Sequence, residues 1–254
     1  MKVSVKTDIG LVRQTNQDAH RYEVFGSDQW TGGAVHLCAV ADGLGGYRAG
    51  EVASRLALDT VVEQIGRAFE TGEPMDAALE AAMSAANRRV VRQGLSDPSC
   101  SGMGTTVTLA IISGGLLHVG HVGDSRAYLL RGGHLEQITR DHSLVAELVR
   151  NGDLTEAEAQ THPQRNILTQ AFGSDLRVKA DVSTKPLQNG DTIMLCTDGL
   201  TGAVPGSEIE EIVSHASSLD EAADRLVALA NERGGHDNVT VLLAGPVNVG
   251  GDRR

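Results

Sequence analysis

Aromatic side chains are scarce in this chain, 3% of its 254 residues, so the core must be aliphatic and alanine-rich. No stack of rings is available to grip single-stranded nucleic acid. Basic residues are outnumbered as well: 22 Lys and Arg against 33 Asp and Glu leave a net charge of −11. Such a surface repels nucleic acid and anionic lipid. Cysteine is confined to Cys38, Cys100 and Cys196, odd in number and widely spaced. That gives no disulfide framework and fits a reducing cytoplasm. No run of about 18 apolar residues could span a bilayer, and the opening Met-Lys-Val-Ser-Val-Lys carries no apolar secretory stretch. The expectation is a cytoplasmic chain with neither nucleic-acid nor membrane partners.

What is present is enough apolar sequence, 41%, to bury a sizeable core. Only the Gly-rich, charged end from Pro246 to Arg254 breaks the composition, so one domain is expected over 1–245 and a flexible tail over 246–254. Apolar residues at Leu58, Val61, Ile65 and Phe69 predict a helix from Ala49 to about Gly72. Met75, Leu79, Met83, Ala86 and Val90 predict a second, entered through Pro74 and ending near Gly94. From Gly102 the pattern turns β-branched, and the runs 105–112, 116–122 and 127–130, separated by glycine turns, predict an antiparallel meander. Short helical pieces and a flap occupy 141–186, with a capping box at Thr155 and Glu158. Two later boxes, Ser207 with Glu210 and Ser218 with Glu221, predict helices before a last strand at Val239. Strands in the middle with helix pairs outside imply an α/β sandwich of two stacked antiparallel sheets.

Four short acidic segments stand out against this frame. Asp42 ends the apolar run 35–40, Asp124 ends 116–122, Asp198 ends 193–197, and Asp237 opens 239–243. Taken singly, each Asp-Gly or Gly-Asp is an ordinary turn dipeptide. Four of them at strand ends suggest convergence, and converging carboxylates repel unless cations intervene. Oxygen ligands without paired Cys or His suit magnesium or manganese better than zinc.

The ordered segments Arg13-Gln-Thr-Asn-Gln-Asp18, Ala41-Asp-Gly-Leu-Gly-Gly46, Gly102-Met-Gly-Thr-Thr106, Gly123-Asp-Ser-Arg126, Thr197-Asp-Gly199 and Gly235-His-Asp-Asn238 resemble the metal-dependent protein phosphatases of type 2C in their compact bacterial form. The resemblance covers roughly Val3 to Leu243. It implies an α-β-β-α sandwich and a binuclear Mn²⁺ or Mg²⁺ centre whose activated water hydrolyses phosphoserine and phosphothreonine in proteins. By position, Asp42 would bridge both ions and the Gly43 carbonyl would bind one. Asp198 and Asp237 would hold the other, and Asp124 with Asp198 matches a third, weaker metal position. Arg13 matches the residue that grips the phosphate, a task suited to a guanidinium fork. Gln17, Asp18 and Asn238 would stand behind these ligands. The resemblance further implies a monomer in signal transduction, acting on a Ser/Thr kinase or its substrates.

The chain departs from the family pattern in places. Gln17 stands where a Glu often touches metal-bound water, and Leu44 and Tyr47 occupy places where relatives carry histidines. That leaves Tyr47 or a metal-bound water as proton donor to the leaving group. Arg126 is expected to bond a neighbouring carboxylate, His236 to be no ligand, and Thr105 and Thr106 to begin a strand. A cysteine followed six residues later by Arg, an Asp-x-Asp pair and a His-Glu-x-x-His motif are all missing, which removes the competing hydrolase chemistries. Two rivals stay open: a phosphoprotein-binding module that keeps the metals but not turnover, and a phosphatase dedicated to one phosphorylated regulator.

Overall fold

The computed structural model describes residues 1–26, 34–46, 49–175 and 177–249. Its strands are β1 (Lys2–Asp8), β2 (Ala19–Phe25), β3 (Val35–Ala41), β4 (Gly43–Leu44), β5 (Gly104–Thr105), β6 (Val107–Ser113), β7 (Leu116–Val122), β8 (Arg126–Arg131), β9 (His134–Gln137), β10 (Asp181–Pro186), β11 (Thr192–Cys196) and β12 (Val239–Gly245). Its helices are α1 (Ala49–Thr71), α2 (Met75–Ser96), α3 (Leu144–Asn151), α4 (Glu156–Thr161), α5 (Asp198–Thr201), α6 (Gly206–His215) and α7 (Leu219–Glu232).

Two five-stranded antiparallel sheets run β1-β12-β11-β8-β9 and β10-β7-β6-β3-β2, with β4 and β5 paired apart from them. The period-2 alternation of side chains explains the layers. On β3, Leu37, Ala39 and Ala41 join the cluster built with α1 and α2, while Cys38 and Val40 face the other sheet. On β12, Val241 and Leu243 join the cluster with α6 and α7, while Leu242 and Ala244 pack between the sheets. Burial on both faces is why these strands read as unbroken apolar runs. Each fully buried Leu, Ile or Val contributes about 1.5–3 kcal/mol. The expected α-β-β-α sandwich is therefore the observed one. Each cluster also buries one free thiol: Cys100 beside α1 and α2, Cys38 between the sheets, Cys196 beside α6 and α7.

Several local expectations need correction. The predicted meander is split: β6 and β7 pair in one sheet, but β8 pairs with β11 and β9 in the other. The chain crosses between sheets at Gly123-Asp124-Ser125, where Gly123 adopts φ +112°, a region open to glycine. Asp198 does not sit in a glycine turn but opens the short helix α5. Ser207 and Glu210 form no capping box. Pro205 holds the N-cap of α6, and the Glu210 carboxylate instead accepts the Leu135 N–H at 2.7 Å. Thr155 and Glu158 do form the predicted box; Ser218 caps α7 through the Glu221 N–H at 3.1 Å, but the Glu221 carboxylate accepts the Ser217 N–H at 2.8 Å instead, so this box is only half formed. The stretch predicted to be flexible from Pro246 is tied down as far as Val249. Val247 is buried and exchanges backbone hydrogen bonds with the 190–191 turn, its N–H donating to Asp191 O at 2.8 Å and its carbonyl accepting Gly190 N–H at 2.9 Å. Val249 N–H donates to Asn189 Oδ1 at 2.7 Å. Residues 250–254 lie outside the described residues.

Candidate metal centre

At one end of the two sheets the acidic segments meet. Asp42 leaves β3 and is gripped on both sides: its N–H donates to Thr106 Oγ1 at 2.9 Å, and its carbonyl accepts Thr106 N–H at 2.9 Å and Thr105 Oγ1–H at 2.8 Å. Gly43 follows because the chain passes too close to α1 for a side chain; a Cβ there would collide with the Gly50 carbonyl. Asp124 sits in the β7–β8 crossing, Asp198 begins α5, and Asp237 stands just before β12. Asn238 organises the loop that carries Arg13. Its side-chain oxygen accepts the Gln17 N–H at 2.8 Å, and its amide donates to Ile9 O at 2.9 Å and Thr15 O at 3.0 Å.

These elements enclose an open pocket of about 170 Å³ lined by Arg13, Gln17, Asp42, Gly43, Asp124, Asp198, Asp237 and Asn238, together with Leu44, Gly45, Asn166 and Leu168. Burial, then repulsion from Asp198, Asp18 and the other acids, pushes the Asp42 carboxyl well above the usual carboxylate range. Burial, then the Asp198 charge, raises Asp124. Burial, then Asp237, raises Asp198, with a hydrogen bond from Asp42 acting against them. Arg13 Nη2 donates to Asp237 Oδ2 at 2.7 Å. Among the described residues no three His, Cys, Asp or Glu side chains form a ready-made cage for one ion. One Asp237 oxygen is already taken up by Arg13. The donor set nevertheless fits a hard divalent cation. It offers only oxygen, its carboxylates are held against their own repulsion, and Asp198 Oδ1 is buried with no hydrogen-bond partner.

Every site residue expected from the sequence lies at this end of the molecule, though not all face the pocket. Asp18 lies behind it, where its Oδ2 accepts hydrogen bonds from Thr197 Oγ1 at 2.8 Å and Thr240 Oγ1 at 2.6 Å. Burial first of all raises its pKa. Arg13 pairs with Asp237 rather than with Asp18. Gln17 Nε2 donates to Gly45 O at 3.3 Å. Arg126 bonds Asp141 as expected, with Nη2 2.7 Å from Oδ2 and Nε 3.0 Å from Oδ1. His236 is exposed and does not line the pocket. Tyr47 lies outside the described residues.

Sequence reasoning missed the threonines. Thr106 was expected only to begin a strand, yet it holds Asp42, and Thr197 and Thr240 hold Asp18. The available signal was a hydroxyl residue at the mouth of an apolar strand, Thr197 beside Asp198, Thr240 near Asp237 and Thr106 at the head of the run 107–113. Asn166 and Leu168 had no signal at all, since the flap between α4 and β10 has no period that places it.

Residues 12–243 match the family model described as protein phosphatase 2C, and the chain belongs to that family. It is 38% identical over 251 residues to the serine/threonine phosphatase stp of Listeria monocytogenes, an alignment covering 96% of this chain and 95% of that protein. Among solved structures it is similar to the Stp1 phosphatase of Staphylococcus aureus (TM-score 0.85, 33% identity, 97% and 95% of the two chains). It is likewise similar to the catalytic domain of the phosphatase PstP, determined in complex with two manganese ions (TM-score 0.80, 36% identity, 95% and 96%). No helix among the described residues is long and apolar enough to cross a membrane.

Proposed function

We propose that this chain hydrolyses phosphoserine and phosphothreonine in proteins at a binuclear manganese or magnesium centre. In this reading Asp42, the Gly43 carbonyl, Asp198 and Asp237 would hold the two ions, and Asp124 with Asp198 would hold a third, weaker one. The observation that carries it is the meeting of Asp42, Asp124, Asp198, Asp237 and Arg13 around one pocket, with Asp198 Oδ1 left without a protein partner. When bound, the ions supply charge screening for the phosphate dianion and acidify water for attack on phosphorus.

The protein's own groups do the rest. Thr105 and Thr106 fix the Asp42 backbone so that its carboxylate needs no reorganisation. Arg13, half exposed at the pocket rim, exchanges its bond to Asp237 for two phosphate oxygens and orients the ester. Leu44 presents a hydrocarbon wall in place of an acid. The three buried free thiols support a cytoplasmic location, and a monomeric role opposite a Ser/Thr kinase rests on the likeness to the family alone.

The test is phosphate release from a phosphothreonine peptide with manganese, with EDTA, and with Asp42→Ala. Chelation and the substitution should each lower turnover at least about a hundredfold. Turnover that survives both defeats the metal reading, and a wild-type chain that binds the peptide without releasing phosphate favours a binding module.

A further inference from the structure

Asp141 and His142, between β9 and α3, touch both walls of the pocket without lining it. The His142 side chain is 8% exposed. Its backbone N–H donates to Gly123 O at 2.7 Å, and its Nδ1 accepts the Gly123 N–H at 3.2 Å, so one residue holds both polar groups of the glycine that precedes Asp124. The same residue's carbonyl accepts Thr169 N–H at 2.8 Å, and Leu144 N–H donates to Ile167 O at 2.9 Å. Ser143 forms a β-bridge to Leu168. This second set of bonds fixes the segment that presents Asn166 and Leu168 to the pocket.

With Nδ1 accepting, the imidazole proton sits on Nε2 and is donated to Asp181 Oδ2 on β10 at 3.3 Å. Asp141 anchors the base of the arrangement, gripped by the Arg126 fork from β8 and by Gln137 Nε2 at 3.1 Å. The His121 ring packs 4.9 Å away, centroid to centroid, and leaves the imidazole little freedom to turn. Gly123 itself has no slack, since a Cβ there would lie 2.6 Å from Thr106 Cβ, and Thr106 holds Asp42.

We infer that His142 is a positioning residue, a clasp through which the turn carrying Asp124 and the flap carrying Asn166 and Leu168 are held at a fixed spacing. Its effect on turnover rests on the phosphatase reading; its effect on the two segments does not. Removing the imidazole leaves the buried Gly123 N–H without an acceptor, a defect that backbone structure avoids. An Asn oxygen can stand in for Nδ1, whereas a Gln amide reaches toward the Nε2 position and Asp181.

The test compares His142→Asn, His142→Gln and His142→Ala in the full chain with manganese. It follows amide hydrogen exchange by mass spectrometry, and kcat and KM for a phosphothreonine peptide and for p-nitrophenyl phosphate. Gln and Ala should speed exchange in both 121–126 and 164–170 about tenfold or more, leave α1 and α2 unchanged, and lower kcat on both substrates by a similar factor. Asn should restore exchange and kcat toward wild type. A side chain that merely fills space gives no such order. Equal behaviour of Asn and Gln, or loosening of 121–126 without 164–170, overturns the clasp, and if Ala does not fold the Asn and Gln pair decides alone. A wild-type chain without phosphatase activity removes the phosphatase reading, while exchange still judges the clasp.

Discussion

Thr106 shows how one hydroxyl can govern a charged neighbour. It accepts the Asp42 N–H and lies 2.8 Å from Ser125 Oγ in the β7–β8 crossing, so it joins two acidic loops. Thr106→Val keeps the shape and removes both bonds. It should cost about 1–3 kcal/mol in urea unfolding and lower kcat, while Thr106→Ser keeps most of each. Asp191 makes a different argument, far from the pocket. Burial alone would raise its carboxyl, yet the Arg131 fork at 2.7 and 2.9 Å and the Gln188 N–H at 2.7 Å hold it below the usual range. A lowered carboxyl gives stability that is present above the ordinary value near 4 and is lost as pH falls through the lowered one. Asp191→Asn should therefore be less stable than wild type by about 1–3 kcal/mol at pH 7. The gap in urea midpoint should close as the pH drops below about 4.

Among the elements, the strands buried on both faces were legible, because β3, β6, β7, β11 and β12 leave runs that little else explains. Three of the four edge strands were not. β2, β9 and β10 are half solvated and mix Glu, Lys, Gln and His with their apolar residues, so they carry no clear period. Turn glycines marked where strands end but not which sheet follows, and that is why β8 was assigned to the wrong neighbours. The consequence falls on Gly123, whose φ of +112° and contact with Thr106 make the crossing possible. Gly123→Ala should destabilise by about 1–3 kcal/mol and, on the role proposed above for Asp124, weaken manganese binding, measured by calorimetry. Unchanged affinity with an unchanged melting temperature would mean the turn relaxes freely. In α7, Ser218→Ala removes a cap and should cost about 1 kcal/mol, read as a shift in thermal midpoint without loss of phosphatase activity.

For the molecule as a whole, the carboxylates were readable as a set because each follows or precedes a core strand. Their contacts were not, since pairing of Asp237 with Arg13 depends on a loop fixed from distant parts of the chain, by Asn238, Gly235 and Thr7. Burial and mutual repulsion raise Asp42, Asp124 and Asp198, the second to about 8. In chelator, the folded chain then keeps protons that the unfolded chain has shed above about pH 4. Its stability should fall as pH climbs through that window. Manganese competes with those protons, so it should raise the melting temperature more at pH 8 than at pH 5, with a gain near 2.7 kcal/mol at about a hundred times its Kd. A gain that shrinks toward alkaline pH would count against the shared site.

Cys100, Cys38 and Cys196 divide themselves among the three hydrophobic clusters packed between the layers, and burial lifts the thiols of Cys38 and Cys196 to about 12. Nature has thus placed an internal reporter in each stratum, silent toward alkylating reagents while the stratum stays shut. The order in which the three become labelled during denaturation would trace the sequence in which this protein comes apart, with no engineered probe.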